Sequence, residues 1–106
     1  MNQSYYRNVN PDLLDRIPLN AQTVVEVGCG SGALGRAFKL RNPQVHYIGV
    51  EAKPEPAADA SGVLDQIVVG NAEDPHLFAG KLSDVDCLVY DFTKTTKNHR
   101  DASIEW

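Results

Sequence analysis

Thr23-Val24-Val25-Glu26-Val27-Gly28-Cys29-Gly30-Ser31-Gly32-Ala33-Leu34-Gly35-Arg36-Ala37-Phe38 decides the fold of this 106-residue chain. A β-branched apolar run, Thr23 to Val27, meets glycines at 28, 30 and 32, after which Ala33, Leu34, Ala37 and Phe38 fall at helical spacing. The pattern is strand, tight turn, helix. Glycine suits such a turn because it accepts positive φ and lets a ligand approach without a Cβ in the way. The first turn of the following helix offers unpaired N–H groups and a positive dipole end. A nucleotide-like ligand across a βαβ crevice is the first expectation.

Two ligand classes fit these glycines. The dinucleotide pattern G-x-G-x-x-G/A is met by Gly28, Gly30 and Ala33 and again by Gly30, Gly32 and Gly35. Glu26 tilts the choice. A carboxylate at the mouth of a pyrophosphate site repels phosphate, whereas S-adenosylmethionine carries a sulfonium, an ammonium and no phosphate. The run Glu26-Val27-Gly28-Cys29-Gly30-Ser31-Gly32 resembles the acidic-x-G-x-G-x-G signature of class I S-adenosylmethionine-dependent methyltransferases. That resemblance implies a Rossmann-like α/β fold, S-adenosyl-L-methionine as cofactor, and Glu26, Gly28, Cys29, Gly30 and Gly32 around its methionine portion.

Glu51 is the second pointer. Val45 to Val50 is a short β-branched strand, and Glu51 stands at its carboxyl end, 21 residues after Gly30. A carboxylate at this spacing accepts from the ribose hydroxyls of an adenosine ligand; Ala52 adjoins it. Nicotinamide and methyltransferase folds share the position, so it supports adenosine without choosing the chemistry. His46 alternates with apolar neighbours and reads as a sheet residue.

Before the signature, Asn10-Pro11-Asp12 starts a short helix, with Asn as N-cap and Pro at the first position. Leu13, Leu14 and Ile17 form its buried stripe, and Pro18 stops it. Tyr5 and Tyr6, in the polar lead-in, are candidates for a flap over the ligand mouth. The helix after the glycines runs to about Arg41, with Leu34, Ala37, Phe38 and Leu40 toward the sheet and Asn42-Pro43 as its end. Residues 54–64 form a weak helix with Ala57, Ala58, Ala60 and Leu64 apolar. Residues 65–69 form a third strand, ending at Gly70-Asn71.

The loop Asn71-Ala72-Glu73-Asp74 lies at the same sheet edge as the glycines. By the resemblance, Glu73 accepts from the adenine amino group and the Ala72 N–H meets a ring nitrogen; Asp74 is better suited to cap a helix beginning at Pro75. Residues 75–82 form a short helix or turn, and 85–90 a fourth strand ending at Asp91, which the resemblance places near the methyl donor.

Alternating strands and helices predict a doubly covered parallel sheet in the order 3-2-1-4. The resemblance covers residues 10–91, the cofactor-binding half of the family's fold; the fifth parallel strand and antiparallel close of a complete domain are missing. Residues 92–106 lack periodicity and read as a tail, with Lys94, Lys97, His99 and Arg100 solvated. The fourth strand is then an open edge, to be paired with another copy in a homodimer or covered by the tail.

Net charge −4 and pI near 5.2 argue against a general nucleic-acid surface. Two cysteines without ligand-like spacing predict a reduced, cytoplasmic chain and no metal. No run is long enough to span a bilayer. The alternatives are an NAD-dependent oxidoreductase domain and a truncated remnant acting through protein contact. No general base is assignable, and the methyl acceptor stays open among small molecule, glycan, protein and nucleic acid, with a small molecule favoured.

Overall fold

The structure, a computed structural model, describes residues 9–71, 85–90 and 103–105. Tyr5, Tyr6, the Asp74-Pro75 helix start, the 75–82 segment and the basic cluster of Lys94, Lys97, His99 and Arg100 lie outside them.

Helix α1 (Pro11–Arg16) begins as its sequence dictates: Asn10 Oδ1 accepts from the N–H groups of Asp12 at 3.1 Å and Leu13 at 3.2 Å. Leu13, Leu14 and Ile17 are buried. Strand β1 (Thr23–Val27) is flanked by β2 (His46–Glu51) and β4 (Cys87–Tyr90), both parallel to it, and β3 (Gln66–Val69) lies parallel to β2. The order 3-2-1-4 is therefore present. Val24 and Val25 both have no exposure, as expected of a central parallel strand covered on each face.

A fifth strand, β5 (Ser103–Glu105), pairs antiparallel with β4 and extends the order to 3-2-1-4-5. Within the stretch 92–106, expected to be an aperiodic tail, residues 103–105 thus form a strand. Their pairing also removes the open fourth-strand edge on which the homodimer expectation rested, because Leu88 to Tyr90 already have a partner in the chain.

Helices α2 (Ala33–Arg41) and α3 (Pro54–Ser61) pack with α1 over one face of the sheet. That face holds the main core, including Leu13, Val24, Leu34, Phe38, Tyr47, Ala60, Leu64 and Val89. The opposite face carries Val25, Ile48 and Val50, with Val68, Val85 and Leu88 against them. The expected second helical layer would fall on 75–82, outside the described residues.

Two apolar positions differ from expectation for one reason. Leu40, 70% exposed, lies two residues beyond buried Phe38 and so about 200° round the helix. Ala58, next to buried Ala57, is likewise on the solvent side of α3. Asp65 does not enter β3. Its carboxylate caps the start of β2, with Oδ2 accepting from the Tyr47 N–H and from Lys39 Nζ, each at 2.7 Å.

Gly35 is fixed by close approach. A Cβ there would stand 2.4 Å from Leu64 Cδ2 and 2.6 Å from the Tyr47 ring. Gly35→Ala should lower stability by about 1–3 kcal/mol through overpacking, despite alanine's better helix propensity. A thermal melt that is unchanged or raised would refute this packing.

Burial opposes the charge of Asp65, but the hydrogen bond from Lys39, the Tyr47 amide and the lysine charge outweigh it and hold the carboxyl below its ordinary 3.8. With the folded value depressed, its contribution is complete above 3.8 and is lost as pH falls through the folded value. Asp65→Asn should therefore be less stable than the native chain at neutral pH, and the gap should narrow as pH falls below 3.8. Urea midpoints across that range check it; a gap independent of pH would exclude the ionic contribution.

Candidate adenosine site at the carboxyl edge of the sheet

The glycine turn connects β1 to α2 at the carboxyl edge of the sheet. Gly28, Gly30 and Gly32 have φ of 76°, 57° and 91°, conformations that a side chain rarely permits. The turn is lashed to the end of β2: the N–H groups of Gly28 and Cys29 both donate to the Val50 carbonyl, at 2.8 and 3.1 Å. Gly32 N–H donates back to Cys29 O at 3.0 Å, and Gly32 O accepts from Arg36 N–H at 2.9 Å, which starts the helix.

Glu51 completes the turn. Its Oε1 accepts from Gly30 N–H at 2.8 Å and its Oε2 from Lys53 N–H at 3.1 Å, and the residue keeps 8% exposure. One amide on each oxygen fixes the carboxylate and leaves each with a further acceptor position. Such a group suits two hydroxyl donors side by side. It does not suit phosphate.

The amides point the same way. A diphosphate cradle needs a run of N–H groups directed outward. At 28, 29 and 30 they are turned to Val50 O and Glu51 instead.

Glu26 and Glu51 share one face. Glu26 is in register with Gly49, two residues before Glu51, so both side chains rise on the side of α2 and α3. Their environments differ. Glu26 has no exposure, and its Oε1 accepts from the Tyr47 hydroxyl at 2.9 Å. Cys29 covers the Glu26–Gly49 level of the sheet, its Sγ 2.6 Å from where a Gly49 Cβ would stand.

Ala52 and Asn71 are exposed at the ends of β2 and β3, where Gly70 N–H donates to Glu51 O at 3.0 Å. Ala72, Glu73 and Asp91 lie outside the described residues. Tyr47 is the participant that sequence reasoning missed. Its signal was present: a tyrosine in an apolar strand, on the same side-chain parity as Glu51 and one strand from Glu26.

The two free cysteines, Cys29 and Cys87, are buried. Burial, aided by the charge of Asp86, pushes the Cys87 thiol up to about 12, which leaves it inert as a nucleophile. Among the described residues no group of three His, Cys, Asp or Glu is placed to hold a metal, and no helix is long and apolar enough to cross a membrane.

No family model matches the chain. Over 57 residues, 53% of its length, it is 40% identical to a trans-aconitate 2-methyltransferase from Azoarcus sp. (strain BH72), and it spans 22% of that relative. Among solved structures, an O-methyltransferase family protein from Burkholderia thailandensis superposes with a TM-score of 0.52 at 20% identity, over 65% of this chain and 24% of that one. The plantazolicin methyltransferase BpumL, solved with a pentazolic desmethylPZN analog and SAH, overlaps at a TM-score of 0.47 and 10% identity, over 83% of this chain and 55% of that one; this is too loose to bear on the site. The resemblance to class I methyltransferases stands, and the fold is Rossmann-like.

Burial, and next the Glu26 charge and hydrogen bond, raise the Tyr47 phenol well above 10.0. Such a group stays neutral in the folded chain while the unfolded chain ionises, so its stabilising share is intact below pH 10.0 and declines as pH rises beyond it. Tyr47→Phe should lose less stability than the native chain between about pH 8 and pH 11. Equal alkaline losses, measured by denaturant unfolding, would contradict a buried neutral phenol.

Proposed function

We propose that this chain is the cofactor-binding portion of an S-adenosylmethionine-dependent methyltransferase that acts on a small-molecule acceptor. The observation that carries the reading is Glu51, held by the amides of Gly30 and Lys53 at the end of β2 with acceptor capacity to spare. In this reading Glu51 takes the ribose hydroxyls, with Ala52 beside it. The Gly28–Gly32 turn, with Cys29 in it, receives the methionine portion, and Glu26 supplies negative charge from below. Asn71, Ala72 and Glu73 receive adenine, and Asp91 lies near the methyl donor.

When bound, the cofactor supplies an electrophilic methyl on a sulfonium. The chain's part is to bind, orient and exclude water, which is most of what this transfer demands. The chain spans about a fifth of the curated relative. That relative's name, trans-aconitate 2-methyltransferase, supports a small-molecule acceptor. Two free cysteines suit a reducing compartment such as the cytoplasm.

Calorimetric titration with S-adenosylhomocysteine and with NAD separates this reading from an oxidoreductase domain and from a remnant that binds neither. Binding of the first ligand alone is expected. Glu51→Ala should weaken it by about tenfold or more, the loss of charge-assisted hydrogen bonds. Unchanged affinity would remove the ribose assignment, and NAD binding would overturn the cofactor.

A further inference from the structure

Beneath the glycine turn lies a buried polar group that cofactor contact alone does not explain. The side chains of Glu26, Cys29, Tyr47 and Cys87 all have no exposure, and the Tyr47 hydroxyl donates to Glu26 Oε1 at 2.9 Å. A carboxylate out of water is costly unless donors hold its charge. The tyrosine is a preset donor. Its ring is flanked by Phe38, with centroids 6.4 Å apart, and by the bare Cα of Gly35, so the hydroxyl has little freedom to leave.

Glu26 lies within the sheet at the level that Cys29 covers, under the turn rather than in its mouth. A charge in that place acts on a ligand through its field. In a low-dielectric setting that field reaches past contact distance. S-adenosylmethionine carries one more positive charge than S-adenosylhomocysteine and otherwise nearly the same shape.

We propose, resting on the cofactor reading above, that Tyr47 is a positioning residue that keeps the Glu26 carboxylate anionic beneath the turn, so that the site prefers the sulfonium donor to its neutral thioether product. Such a preference loads the donor and releases the spent cofactor without any group touching the sulfur. A purely structural role for the pair would change the affinity of both ligands alike.

The test is calorimetric titration of the native chain, Tyr47→Phe and Glu26→Gln with S-adenosylmethionine and with S-adenosylhomocysteine, after circular dichroism has established that each variant folds. Glu26→Gln should lower the donor-to-product affinity ratio by about tenfold, the effect of one nearby charge. Tyr47→Phe should lower it by about threefold, the effect of one lost donor to that charge. An equal loss for both ligands, or an unchanged ratio, overturns the proposal while leaving the cofactor reading in place. Should Tyr47→Phe not fold, the Glu26→Gln ratio decides alone. If the native chain binds neither ligand, the cofactor reading fails and this inference with it.

Discussion

The sulfur of Cys29 rests against the bare Cα of Gly49, and the site depends on that contact. Any side chain at 49 would meet Cys29 Sγ at 2.6 Å and Leu64 at 2.7 Å. Because the position is empty, the glycine turn folds down over the sheet instead of standing off it. That brings Gly30 N–H within 2.8 Å of Glu51 and closes the turn over Glu26. Gly35 does the same for α2, which settles onto the Tyr47 ring. Two missing side chains set the spacing between layers, and the polar groups fall into place within it.

The electrostatic character of the edge follows. Two carboxylates share one face at the carboxyl ends of neighbouring strands, one fully buried and one barely exposed. The turn's first amides, which in a phosphate site would face outward, serve internal acceptors. On the proposed reading the same few residues that make the turn rigid also make it hospitable to a cation and unwelcoming to a diphosphate.

Much of this was legible in the residues alone. The β-branched run before three glycines marked β1 and its turn, Asn10-Pro11 marked the start of α1, and a glutamate closing the next strand marked Glu51. Alternating elements were enough for the order 3-2-1-4. What was not legible depended on partners distant in the chain. Asp65 reads as the first residue of a strand until the Tyr47 amide and Lys39 claim it as a cap. Tyr47 reads as one more strand aromatic until the parallel register sets it one strand from Glu26. Ser103–Glu105 is too short for any periodicity and becomes a strand because β4 offers it an unpaired edge. Ala72, Glu73 and Asp91 remain part of the proposal.

The Val50 carbonyl, by taking the amides of both Gly28 and Cys29, gives the motif its shape from outside the motif. A peptide carrying only the first strand, the glycines and their helix has the letters without the form. On the proposed reading, the turn keeps the form that binding needs only while β1 and β2 stay paired. Occupancy of the site would report on the pairing of those two strands.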